Sequence, residues 1–208
     1  MPLFKTITQA EGLIGVWQLS ESLNELLPHF SDQELEDLTY LQYTHEKRKI
    51  EWLATRSLIK LLIGADFTIS YAESGKPILN HARYKNISIS HSRYFAAVYI
   101  HEKLQVGLDI EDSTRNYNTI EKRYLSDEEL IQTRRDPMLQ CLYWCAKEAI
   151  FKLVTDHDIE FRNQIHISPF NPEIEDRFQV KFKSEKADSI HELQFQVFDG
   201  HCLVWVAS

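Results

Sequence analysis

Val106-Gly107-Leu108-Asp109-Ile110-Glu111 is the stretch on which the reading of this chain turns. Apolar side chains alternate with Gly107, Asp109 and Glu111, the period of a half-buried strand. Leu104, Val106, Leu108 and Ile110 then face one way. Asp109 and Glu111 share the other face with Gly107, whose missing side chain opens it. Two carboxylates two residues apart on a strand stand roughly 7 Å from each other, close enough to reach one ion. Oxygen ligands of this kind suit Mg²⁺, which takes a few carboxylates and completes its shell with water and phosphate oxygens. A strand that simply ends at the surface would leave the same two acids in solvent.

A second piece, Trp144-Cys145-Ala146-Lys147-Glu148-Ala149-Ile150-Phe151-Lys152, reads as helix. Pro137 opens it, and the periodicity runs to about residue 154. Leu142, Ala146, Ala149, Ile150 and Leu153 make its expected core face. Trp144, Lys147, Glu148, Phe151 and Lys152 make the opposite stripe. Glu148 could bring a third oxygen to Asp109 and Glu111. At 4 Å separation and an effective dielectric near 20, each like-charge pair would cost about 4 kcal/mol, a penalty that calls for a cation. Glu148 and Lys152 are also at the spacing of an ordinary helix ion pair.

Around these pieces the layout is mixed α and β. Ser31-Asp32-Gln33-Glu34 and Ser126-Asp127-Glu128-Glu129 have the form of capping boxes. A long helix is expected over about 44–63, stopped by Gly64, with Lys49, Arg56 and Lys60 on one stripe. Residues 71–79 read as a turn and short strand, punctuated by Gly75 and Pro77. Ile87 and Ile89 alternate with Ser88 and Ser90, and the segment 94–101 is a second strand, with His91 to Tyr94 as the turn between them. Strands are expected at 164–170, 178–182 and 193–207. There is no flexible linker. Both halves carry a long helix and several strands, which suggests a weak duplication about residue 100.

The chain has 208 residues, 43% of them hydrophobic, enough for a substantial core. Its opening residues lack a basic start followed by a clean apolar run, so no signal peptide is expected, and no stretch is apolar enough for a membrane span. Three cysteines (Cys141, Cys145, Cys202) form no metal-ligand pattern and read as reduced thiols of a cytoplasmic protein. The net charge of −8 is uneven. Residues 1–43 hold one lysine and seven acids, whereas residues 44–93 hold nine basic residues and four acids. A basic centre in an acidic chain suits a compact phosphate-rich ligand or an acidic partner, not general nucleic-acid binding.

Five short motifs in one order resemble those of the 4′-phosphopantetheinyl transferases, in particular the larger, monomeric surfactin-synthetase-activating type. They are Gly75-Lys76-Pro77, Ile89-Ser90-His91-Ser92, Val106 to Glu111, Arg123 to Glu129, and Trp144 to Lys152. The resemblance implies an α+β fold of two similar subdomains about a pseudo-twofold axis, each a mainly antiparallel sheet with a long helix. Residues 1–102 and 103–208 would form the two halves of one pseudo-dimeric domain. It implies transfer of 4′-phosphopantetheine from coenzyme A to a serine of an apo acyl or peptidyl carrier protein, releasing 3′,5′-ADP. Asp109, Glu111 and Glu148 would bind Mg²⁺ with the pyrophosphate. His91 would contact the 3′-phosphate, Lys76 and Ser90 would help seat the nucleotide, and Lys152 would hold phosphate. Glu148, Glu129 and Lys147 are all candidates for the base.

The chain departs from the family pattern in three places. The stretch that often supplies 3′-phosphate lysines is acidic here, Ser31 to Leu38, so Lys47, Arg48, Lys49 or Arg56 would substitute. Ser88 stands where asparagine is usual, and residues 153–161 lack the glycines that line the pantetheine channel in relatives. Two other functions compete: an inactive carrier-binding homologue, and a metal-dependent nuclease. In the nuclease, a lysine usually follows its acid by two residues, a spacing that Lys147 and Lys152 do not have relative to Glu148.

Overall fold

The computed structural model describes residues 2–40, 43–154, 158–184 and 188–208, without the side chains of 37–40. The helical pattern expected through Tyr43 therefore passes partly outside the described residues, as does Thr155 to His157 of the stretch that lacks glycines.

The chain opens with a hairpin, β1 (Leu3–Gln9) and β2 (Gly12–Gln18), followed by a one-turn helix α1 (Leu23–Leu26), α2 (Asp32–Tyr40) and the long α3 (Glu46–Ile63). A small hairpin, β3 (Thr68–Tyr71) and β4 (Pro77–Asn80), leads to β5 (Asn86–His91), β6 (Phe95–His101) and β7 (Val106–Asp112). Short helices α4 (Glu121–Tyr124) and α5 (Asp127–Thr133) precede α6 (Pro137–Leu153) and α7 (Phe161–Gln164). Four strands close the chain: β8 (Ile165–Ile167), β9 (Arg177–Phe182), β10 (Ser189–Phe198) and β11 (His201–Ala207).

The pairing is antiparallel throughout and gives two main sheets, ordered β1-β2-β6-β5 and β7-β11-β10-β9-β8. The expected strand over 193–207 is two strands. Asp199 and Gly200, both at positive φ (44° and 71°), make a two-residue turn between β10 and β11. The first hairpin, which the periodicity had not suggested, adds two strands to the first sheet.

Ile14, Val16, Phe95, Ala97 and Tyr99 of the first sheet pack against Val106, Leu108, Ile110, Leu203 and Trp205 of the second. α3 covers the far face of the first sheet through Ala54, Leu58 and Ile59. α6 covers the far face of the second, its Leu142, Ala146, Ala149, Ile150 and Leu153 meeting Val180, Leu193, Val204 and Val206. Gly107 makes that approach tight: any side chain there would overlap the carbonyl oxygen of Ala149. The β7 alternation thus resolves as expected, Leu108 and Ile110 toward the inter-sheet core and Gly107 and Asp109 toward α6.

β5 and β7 are edge strands of different sheets, yet they meet. The Ser88 hydroxyl accepts from the Leu108 N–H (3.0 Å), and the Ser90 hydroxyl from the Ile110 N–H (3.3 Å). Both links keep an offset of twenty residues. Serine side chains thereby satisfy backbone donors that a buried strand edge would otherwise leave unpaired. Between β6 and β7 the chain turns tightly, with His101 Nδ1 accepting from the backbone N–H groups of Lys103 and Leu104.

Candidate functional site

Asp109 is 4% exposed and has its two carboxylate oxygens in different circumstances. Oδ1 accepts from the Ser90 hydroxyl at 2.6 Å and from Lys152 Nζ at 2.7 Å. Oδ2 is buried without a hydrogen-bond partner. Lys152 reaches β7 from the last turn of α6 and also donates to the Leu108 carbonyl at 3.0 Å. Glu111, two residues on, has one oxygen held in the same way: Oε1 accepts from Arg115 (2.9 Å) and from Trp144 Nε1 (3.3 Å).

Glu148 completes the acidic group. Burial, and then the charge of Asp109, raise its carboxyl to about 7. The same two causes, in the same order, raise Glu111 to about 7. No hydrogen bond or ion pair to another described residue holds the Glu148 carboxylate. Glu111 and Glu148 thus each feel the charge of Asp109, which lies between β5 and α6. Among the described residues, no set of three His, Cys, Asp or Glu side chains is gathered closely enough to hold a metal ion. The donors nevertheless suit a hard divalent ion. They are carboxylate oxygens, and the buried Oδ2 of Asp109 lacks the partner that such an atom requires.

Lys147 and Glu129 lie elsewhere. The sequence pattern puts Lys147 on the outer stripe of α6; the structure buries it completely, at 0% exposure. Its ammonium donates to Glu129 (2.7 Å) and to the carbonyls of Phe161 (3.0 Å) and Ile165 (2.7 Å), which uses all three protons. Glu129, 2% exposed, also accepts from the N–H groups of Ser126 and Ile167. The pair ties α5, α6, α7 and β8 together. Glu129 is thus the N3 member of its capping box and more, because its second oxygen anchors β8.

Beside the acids, a cleft of about 220 Å³ is lined by Gly75 and Lys76 of the β3–β4 turn, by Pro77 at the start of β4, by Ile87 to Ile89 of β5, and by Phe151 and Lys152 of α6. Lys76 donates to Gln105 at 3.2 Å, and burial lowers its pKa. A smaller pocket, about 80 Å³, is lined by Tyr43, Arg48, Glu51, Thr55, Arg56 and His91, among others. Here Arg48 pairs with Glu51 at 2.7 Å and Arg56 stacks on the Trp52 ring at 3.5 Å. The Thr55 hydroxyl donates to the Glu51 carbonyl (2.7 Å), so the 2.8 Å contact between Thr55 Oγ1 and His91 Nε2 requires the proton on the ring nitrogen. Burial holds His91 down at about 4, well below an ordinary histidine.

A third feature escaped the sequence reading. Arg115, Arg123, Arg162, Tyr124, Trp144 and Phe161 line an open groove of about 570 Å³. It shares Arg115 and Trp144 with the Glu111 site. Its arginines come from three separate segments, which left no local signal.

Residues 105–203, just under half of the chain, match the model of the 4′-phosphopantetheinyl transferase superfamily, so this segment carries a domain of that superfamily. The match spans Asp109, Glu111, Glu148 and Lys152 and stops short of His91, Ser90 and Lys76. No curated protein matches the chain. Among the described residues no helix is long and apolar enough to cross a membrane.

Proposed function

We propose, on the premise of the superfamily domain at 105–203, that this chain moves 4′-phosphopantetheine from coenzyme A onto a serine of an apo acyl or peptidyl carrier protein. The observation that carries the reading is the convergence of β7 and α6, which sets Glu148 and Lys152 against Asp109 beside a cleft floored by β5.

In this reading Asp109 and Glu111 hold Mg²⁺, with Glu148 close by. When bound, the ion neutralises pyrophosphate charge and makes the phosphorus more electrophilic. Coenzyme A lies across the cleft between the part built from residues 1–102 and that from 103–208, two halves about the pseudo-twofold. Lys152 then exchanges its contact with Asp109 for substrate phosphate. Lys76 faces the same cleft, and the pocket of Arg48, Arg56 and His91 receives the 3′-phosphate. The carrier serine oxygen attacks the β-phosphorus, the bond to the α-phosphate oxygen breaks, and 3′,5′-ADP leaves. Glu148 takes the serine proton: its carboxyl lies near neutrality and is otherwise unheld, whereas Glu129 and Lys147 are spent on each other and on backbone. The arginine groove beside Glu111 meets an acidic helix of the carrier, and the enzyme acts as a cytoplasmic monomer.

The test is direct. Incubated with coenzyme A and Mg²⁺, a panel of apo carriers is expected to gain one phosphopantetheine by mass spectrometry, and EDTA is expected to stop it. Tight carrier binding with no mass gain would favour the inactive homologue instead.

A further inference from the structure

The Ser90 side chain carries a single polar atom, and both hydrogen bonds it makes run to β7. Its hydroxyl donates to Asp109 Oδ1 at 2.6 Å and accepts from the Ile110 N–H at 3.3 Å. The residue is buried, so no hydroxyl proton is left to offer a ligand. Its neighbour in the motif, His91, is directed instead toward α3 through Thr55. Adjacent residues on a strand point to opposite faces, so Ser90 and His91 serve different ends of the site.

We propose that Ser90 is a positioning residue for Asp109: its hydroxyl, joined by Lys152 until substrate phosphate draws the lysine away, fixes Oδ1 and leaves the unpartnered Oδ2 as the oxygen presented to the divalent ion. This rests on the function proposed above and changes one role within it, since Ser90 then seats the metal ligand and not the nucleotide. The physical argument is the orientation of a carboxylate. Two donors on one oxygen fix the torsion of the side chain, and partners of this kind behind a ligand commonly alter metal affinity by roughly 10–100-fold. Lys152 alone is a poor clamp, because its long chain rotates and is drawn off by substrate phosphate. Ser90 sits on a strand, is short, and stays. The coupling also crosses from the first sheet to the second, so the ion's ligand on β7 is aimed by a side chain of β5.

The experiment compares the full-length protein with Ser90→Ala and Ser90→Cys, the latter close in size and a weaker donor. Mn²⁺ binding in the presence of coenzyme A is read by electron paramagnetic resonance. Binding of 3′,5′-ADP, which lacks the pyrophosphate, is read by calorimetry in EDTA. Ser90→Ala is expected to weaken Mn²⁺ at least tenfold, with Ser90→Cys between it and wild type, while 3′,5′-ADP affinity stays within twofold. Unchanged Mn²⁺ affinity in a folded variant overturns the proposal, and so does weakened 3′,5′-ADP with Mn²⁺ intact, which would make Ser90 a nucleotide contact. Should Ser90→Ala fail to fold, Ser90→Cys decides by the same criteria. If wild type binds neither coenzyme A nor Mn²⁺, the transferase reading itself falls and takes this proposal with it. If wild type binds both, only the serine's role is in question.

Discussion

Lys152 Nζ and Asp109 Oδ1 stand 2.7 Å apart, joining the last turn of α6 to the middle of β7. In the absence of an ion the lysine supplies the positive charge that a buried carboxylate requires. Asp109→Asn keeps the shape and the Ser90 hydrogen bond while removing the charge. It is expected to lower kcat for carrier modification at least 100-fold with an unchanged far-UV spectrum. Near-wild-type turnover would take Asp109 out of the metal site.

Glu148 is the acid whose protonation should be visible in the rate. In the proposed reaction transfer needs its carboxylate, so kcat should rise with pH through its ionisation and then level off. Mg²⁺, if bound beside it as proposed, would move that limb below the value of about 7 held in its absence. Glu148→Gln should depress kcat strongly and abolish the limb. Stability runs the other way. A carboxyl raised from 4.5 to about 7 favours the folded state below pH 4.5, and that advantage is lost as pH rises through 7. In EDTA, the melting-temperature difference between wild type and Glu148→Gln should therefore shift against wild type between pH 5 and 8.

His91 predicts a proton linked to nucleotide binding. Its Nε2–H is committed to Thr55, so donation to phosphate needs a second proton on Nδ1, and burial holds the ring neutral down to about 4. A 3′-phosphate arriving there, as proposed, would raise that pKa. 3′,5′-ADP should bind more tightly at pH 5.5 than at 7.5, with proton uptake seen by calorimetry in buffers of different ionisation enthalpy. His91→Asn should remove the dependence. In the free protein the sign is also fixed: stability present above pH 6.5 is lost as pH falls toward 4.

The arginine groove is tested through the carrier alone. Arg123→Glu and Arg162→Glu should raise KM for the carrier several-fold, leave KM for coenzyme A and kcat unchanged, and flatten the salt dependence. Equal carrier KM in both variants would move the docking surface elsewhere.

Lys147 and Glu129 should prove structural. Removing one partner of a buried pair typically costs about 3–5 kcal/mol. Lys147→Met is thus expected to lower the melting temperature markedly, while the folded fraction keeps its kcat. A folded variant with no turnover would restore Lys147 as a candidate for the chemistry.

Much of this site could be read before any coordinates. The alternation in Val106 to Glu111 placed Asp109 on the face that meets α6, and the periodicity around Pro137 and Gly64 set both long helices. Ser126 and Glu129 cap α5 as their spacing implied. Lys147 was misread because charge argues for solvent, and its compensation comes from Glu129, Phe161 and Ile165, which no local pattern connects to it. The β10–β11 turn was misread for a different reason. Asp199-Gly200 is a strong hairpin signal that the surrounding apolar run obscured. The serine links between β5 and β7 depend on two sheets meeting, which a single strand's pattern does not encode.

Gly107 finally bears on how far this scaffold can be altered. Because the Ala149 carbonyl abuts its α-carbon, even one added methyl would act as a wedge, prying the helix that carries Glu148 from the strand that carries Asp109. How far this scaffold tolerates remodelling is therefore set by the smallest residue in the neighbourhood, and on the proposed function any redesign would do better to leave that seam alone and work on the arginine-lined rim.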